Sequence, residues 1–206
     1  MIHAHTRHDF ALRVQAIKSL RELLASAELV AFACFAHLAA LETAFDASLF
    51  DVFLYYALVG VGSSLPLKRV YSLNILNSIA QFNPDSLIGS LDKLQDLVVD
   101  RNWEVLAQSL TLASRLLESM ALPHDLSHRT KRQPSADPSE NRRNIQSLLK
   151  IIKDVFNSKA PQALQKVGLF CVGRLLPHYR ELYPHYFEML LSAPAEFRNL
   201  VLSRPS

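Results

Sequence analysis

The chain has 206 residues, half of them hydrophobic, only five glycines, and a formal net charge of +3. That length holds one domain or two small ones with a substantial core, and so few glycines disfavour a β-rich fold with many tight turns. Cys34 and Cys171 sit in apolar helical patterns without metal or redox spacing, so both read as reduced core thiols, as in cytosolic or nuclear proteins.

The first eight residues hold no apolar signal-peptide core; His3, His5 and His8 read as a solvated tail without the supporting groups that orient metal ligands. Segment 9–25 is amphipathic, with Leu12, Ala16, Leu20 and Leu23 opposite Arg13, Lys18 and Arg21, and predicts an outer helix. Segments 27–45 and 46–59 have almost no polar face, as for helices covered on several sides. Their apolar runs, 29–41 and 49–61, are shorter than the roughly 20 residues a bilayer requires and contain His37 and Asp51, so no membrane is expected as a partner. Glycine and serine at 60–64 then end the pair.

From 70 to 117 one pattern is written twice. The run SLNILNSI at 72–79 aligns with SLTLASRL at 109–116, an offset of 37 residues and inside the roughly 33 to 47 residue period of helical repeats. Between the copies, Asn83-Pro84-Asp85 places proline at a first helical position, and 85–99 carries Leu87, Leu91, Leu94 and Val98 at helical spacing. Asp100 or Asn102 caps the next helix. There Trp103, Leu106, Leu110, Ala113 and Leu117 form one stripe, which assigns Trp103 to the core, and Glu104, Gln108, Thr111, Arg115 and Glu118 form the other.

Residues 123–137 change character: basic, proline-containing, without periodic apolar residues. They divide the chain into N-terminal repeats at 1–122 and a C-terminal repeat with a terminal cap at 138–206, joined as one continuous solenoid. Arg129, Lys131, Arg132 and Ser135 give a weak nuclear-import or phosphorylation signal against a plain solvated linker. Asp137-Pro138-Ser139-Glu140 restarts a helix by capping, Ile145 to Phe156 supplies its stripe, and 164–176 forms an inner helix whose 168–175 aligns with 109–116. Charge is uneven: residues 1–120 hold nine Lys/Arg and twelve Asp/Glu, residues 121–206 thirteen and seven, so the C-terminal part favours an acidic partner.

Helix pairs of this kind resemble the HEAT and armadillo superfamily. The resemblance implies an all-α, right-handed stack of antiparallel helix pairs, an α-solenoid, and a protein-binding scaffold without a cofactor. The Asp100-Arg101-Asn102-Trp103 turn is also similar to the tryptophan-bearing turn of tubulin-binding TOG arrays, although this edge otherwise offers only Arg101 and Lys159. Nothing in the sequence has the spacing of a catalytic motif: no glycine-rich phosphate loop, HExxH, CxxC or GxSxG is present, and an enzyme is not expected.

The expected function is binding of a protein or peptide segment with apolar and acidic residues. Nucleic-acid binding through the basic C-terminal half and tubulin binding through the turn edge are the alternatives. The two offsets place Asn74, Thr111 and Phe170 in one row of a groove floor and Ser78, Arg115 and Arg174 in the next. Phe170 is apolar where the other copies are polar, and two neighbouring arginines repel unless something negative lies between them. Tyr179, Tyr183, Tyr186 and Phe187 share one face and read either as interface anchors or as a cap closing the core.

Overall fold

The computed structural model describes residues 2–41, 47–121, 138–157 and 161–188. Among these the chain is helical, with eight α-helices and short 3-10 turns. They are α1 (Ile2–Leu23), α2 (Glu28–Leu41), α3 (Ala47–Val61), α4 (Pro66–Phe82), α5 (Leu91–Gln95), α6 (Trp103–Ala121), α7 (Pro138–Asn157) and α8 (Gln162–Tyr179). Two compact units result, Met1–Phe82 and Asn83–Ser206. The division therefore falls after α4. It does not fall at the basic stretch 123–137, because α6 before that stretch and α7 after it pack on each other within the second unit. The stretch itself, with Arg129, Lys131, Arg132 and Ser135, lies outside the described residues, as does the end of the expected terminal cap after 188.

In the first unit α4 packs against both α2 and α3, and α1 packs on α2. The contact is close at Gly60 of α3, where any Cβ would collide with Ser72 Oγ and the Phe32 ring. Glycine is needed there for approach and not for conformation, since no residue among the described ones adopts a positive φ. Phe32, Phe35, Phe53 and Tyr56 fill the space between α2 and α3, with Phe35 and Tyr56 stacked at 5.0 Å. Helix α1 starts at Ile2, earlier than residue 9, so the backbone of 2–8 continues the amphipathic helix where a frayed tail was expected.

In the second unit α6 is central, covered by α7 and α8. Asn102 Oδ1 accepts the Glu104 and Val105 amides at 2.9 and 3.2 Å, and Asp100 Oδ1 accepts the Asn102 amide at 2.8 Å. Asn102 is thus the cap and Asp100 braces it. The segment expected as one helix over 85–99 is instead a 3-10 turn, the five-residue α5 and a second 3-10 turn. Leu91, Leu94 and Leu97 are buried at a spacing of three, which a three-residue period brings onto one face. Gly89 weakens a continuous α-helix at the same place.

The repeated pattern survives as burial. Ser72, Leu73, Ile75, Leu76, Asn77 and Ile79 are buried, and so are Ser109, Leu110, Leu112, Ala113, Ser114 and Leu116, their partners at the 37-residue offset. Asn74 and Ser78 are half-buried, as are Thr111 and Arg115. The two leading serines make the same kind of local hydrogen bond, each hydroxyl donating to the carbonyl four residues earlier, Ser72 to Lys68 at 2.8 Å and Ser109 to Val105 at 2.9 Å.

Candidate partner-binding face

The two rows read from the sequence divide between the units: Asn74 and Ser78 belong to α4, the others to α6 and α8. Within the first unit Ser78 Oγ donates to the Asn74 carbonyl at 3.1 Å, a local contact that assigns neither to a partner. Within the second unit the packing of α6 on α8 gathers a definite group. Thr111 is half-buried and its hydroxyl donates to the Ala107 carbonyl at 2.9 Å. Phe170 is 50% exposed, while Leu169, Cys171, Val172 and Leu175 around it are buried. Phe170 therefore stands on the outer side of α8, with the Arg174 guanidinium 5.8 Å from its ring centre.

Arg174 reaches across to α6, where its Nη2 lies 2.5 Å from Glu118 Oε2. The other Glu118 oxygen accepts a hydrogen bond from Ser114 Oγ at 3.3 Å, so the carboxylate is held from both helices. Glu118 is thus the negative group that relieves the two arginines. The relief is incomplete at Arg115: burial holds its pKa below the ordinary guanidinium value, Arg174 lowers it further, and Glu118 raises it by less. Beneath the pair, burial pushes the Cys171 thiol up to about 11, against a smaller opposing effect of the Ser114 hydroxyl. A thiol so protonated is a poor nucleophile. Cys34 and Cys171 are both free.

The aromatic series divides. Tyr179 is 3% exposed and its hydroxyl donates to the Leu117 carbonyl at 2.6 Å, closing the last turns of α6, so it is a core residue and not an exposed anchor. Burial raises its pKa to about 12. Phe187 is buried as well. Tyr183 and Tyr186 are half-buried, continuing the ladder at 6.3 and 6.4 Å, with the His185 ring tilted against Tyr186 at 3.9 Å and Lys153 of α7 over the same ring at 5.7 Å. The physical reason is reach: Tyr179 follows buried Cys171, Val172 and Leu175 on α8, whereas Tyr183 and Tyr186 come after the helix ends.

Trp103 also departs from expectation, being 42% exposed where the phase of α6 placed it in the core. Helical phase fixes which side a residue faces but not how far the neighbours extend along it, and Trp103 is the first residue of its helix. Val99 is 82% exposed on the other side of the capped turn, with exposed Arg101 between.

Two features of the first unit were not anticipated. Lys68 is buried, donates to Glu28 Oε1, and lies 4.8 Å from the Phe32 ring centre. Its signal was readable, since residue 68 continues the buried stripe of 72, 75, 76 and 79 by one turn. An open apolar groove of about 700 Å³ runs along α1 and α2, lined by Leu20, Leu29, Val30, Cys34, His37 and Tyr71 among others. Its residues come from three helices, and no sequence pattern marks such a set. Among the described residues, no three His, Cys, Asp or Glu side chains are placed to hold a metal ion, and no helix is long and apolar enough to cross a membrane.

The chain matches no model of a known protein family and no curated protein sequence. Among solved structures it is similar to an engineered protein whose crystal structure was determined by the Northeast Structural Genomics Consortium, with a TM-score of 0.59 and 13% identity over 90% of this chain and 76% of that one. The likeness is one of fold: all-helical, with the packing of helical repeats.

Proposed function

We propose that the chain is a non-enzymatic protein-interaction scaffold, a right-handed α-solenoid in the cytoplasm or nucleus that binds a protein or peptide segment on the α6/α8 face. The observation that carries this reading is Phe170: a large apolar side chain half exposed between buried neighbours on α8, under an arginine whose side chain is itself 47% exposed. An aromatic ring beside a fixed arginine suits an interface centre, because both bury much area while losing little side-chain freedom. The segment that fits carries an apolar residue for Phe170 and an acidic residue for Arg174 and Arg115, with Thr111 at the margin. Tyr183 and Tyr186 extend the contact only through their exposed edges.

A second reading is docking of a larger protein surface, such as tubulin, on the turn that presents Val99, Arg101 and Trp103. The exposure of Trp103 on a turn held by three side-chain hydrogen bonds favours it. Replacing Phe170 or Trp103, one at a time, by a photo-crosslinking phenylalanine in cells separates the two. Crosslinks from position 170 to a protein, insensitive to nuclease and lost with Arg174→Gln, are expected. Crosslinks from 103 alone move the site to the turn, and nuclease-sensitive capture from both overturns protein binding in favour of nucleic acid.

A further inference from the structure

Helix α2 is apolar on every side, yet among the described residues only part of its circumference is covered. Ala31, Phe32, Phe35, Ala36 and Ala39 are buried where α1, α3 and α4 meet it. The opposite stripe, Val30, Ala33, Cys34, His37 and Leu41 at i, i+3, i+4, i+7 and i+11, lies open. Val30 and Leu41 are 55% and 65% exposed, and the first four of these residues line the groove beside α1. The groove exists because Ala16 and Ser19 of α1 and Ala33 and Cys34 of α2 are too short to close it. From Leu29 to Leu41 there is no Asp, Glu, Lys or Arg. A helix without a polar face requires cover all round. An open stripe free of charges also has the composition of a permanent contact, because sites for transient partners are about as polar as the rest of a protein surface. We propose that a second copy of the chain covers this face, the two α2 helices packing antiparallel about a two-fold axis that passes between Ala33 and Cys34.

The inference stands apart from the α6/α8 face, which lies in the other unit. A two-fold contact uses the same patch on both copies, so one stripe must hold protrusions and hollows together. This one does: Val30 protrudes, and the short side chains at 33 and 34 lie one turn along. With the axis at that point, Val30 of each copy faces His37 of the other and Leu29 faces Leu38, while the short pair at the centre lets the helices approach. No ionised side chain between 29 and 41 meets its own copy across the axis. The size is also adequate. Helix α2 has 14 residues, and the outward half of two such helices, each about 11 Å across and about 21 Å long, is on the order of 700 Å². That is close to the roughly 800 Å² each partner contributes to a standard interface.

The test is the mass of the full-length chain in solution, by size-exclusion chromatography with light scattering over a roughly hundredfold dilution, for wild type and Val30→Glu. Val30 is half exposed, so a single chain is expected to fold with the substitution, which a thermal melt checks. Wild type is expected at the mass of two chains at the concentrated end, and Val30→Glu at the mass of one. A two-fold contact contains the substitution twice, so a loss of about tenfold per site becomes about a hundredfold in dissociation constant. Cys34 gives a second readout that needs no folded variant, because association covers it. N-ethylmaleimide is expected to label it more slowly in the two-chain species than in the one-chain species reached by dilution, with a Cys34→Ser chain identifying the signal. A one-chain mass throughout overturns the proposal and leaves the stripe to a different protein. A two-chain species that survives Val30→Glu, or in which Cys34 is labelled as fast as in the single chain, overturns it too and moves the contact to another face.

Discussion

The same three groups occur twice in this chain, a cation over a phenylalanine ring and paired with a glutamate, and they do different work. In the first unit Glu28 and Phe32 share α2 and Lys68 comes across from α4; in the second, Phe170 and Arg174 share α8 and Glu118 comes from α6. Phe32 and Lys68 are buried, with the exposed member being the acid; Phe170 and Arg174 are exposed, with the more enclosed member being the acid. A cation enclosed in this way fixes how two helices meet and has nothing left to offer a ligand. A cation left outside, with its acid inside, keeps its donors toward solvent. Lysine suits the first place, as a compact charge on a flexible stem, and arginine the second, as a planar fork that lies flat on a ring and still binds sideways.

Four substitutions sharpen this contrast. The largest effect is expected at Gly60→Val, which forces a branched side chain into Ser72 and Phe32 beneath the Lys68 pair. A loss of about 3 kcal/mol or more is expected, with hydrogen exchange accelerating in 10–82 before 83–188. Equal acceleration in both would mean that the units do not hold their cores separately.

Next is Tyr179→Phe, which removes the hydroxyl's hydrogen bond to the Leu117 carbonyl at a cost of about 1 kcal/mol by chemical denaturation. It also carries a pH signature. A phenol whose folded pKa is raised to about 12 from an ordinary 10.0 stabilises fully below pH 10, and that contribution is lost as pH rises toward 12. The raised Cys171 thiol acts with the same sign between 9.0 and about 11. Wild type should therefore weaken above pH 10 more steeply than Tyr179→Phe. Parallel profiles would count against the buried hydroxyl.

The smallest effects compare the two cations directly. Lys68→Met should cost about 1 kcal/mol, less than a fully buried pair, because Glu28 is half exposed and regains water. Arg174→Met should change stability by about 0.5 kcal/mol or less, as for a surface pair. A larger loss at Arg174 than at Lys68 would make the second constellation structural.

Much of this was legible in the residues. The 37-residue repeat predicted which positions of α4 and α6 are buried, because packing against neighbours on several sides leaves the same stripe in both. Phe170 was visible as an exception to the pattern, and Arg174 as a second arginine in the row of Arg115. Trp103 was misplaced in the core and Tyr179 was left between anchor and cap, for one reason: periodicity describes a helix as an endless cylinder, and both residues lie at helix ends, where coverage depends on the lengths of neighbours. Trp103 begins α6 beyond its cover; Tyr179 ends α8 where α6 still runs beside it. The acid that pairs with Arg174, Glu118, comes from the facing helix and became visible only in the packing of α6 on α8. The groove along α1 and α2 was not read, because shape between three helices has no sequence period.

The central claim is that the exposed copy of this constellation binds and the buried copy does not. The most direct measurement is the affinity of the partner crosslinked at position 170 for the Phe170→Ser/Arg174→Gln chain, compared with Lys68→Met and with wild type. A loss of about thirtyfold in Phe170→Ser/Arg174→Gln, at an unchanged melting temperature, and wild-type affinity in Lys68→Met are predicted. Undiminished affinity in Phe170→Ser/Arg174→Gln would contradict the account and direct attention to the Val99–Trp103 turn.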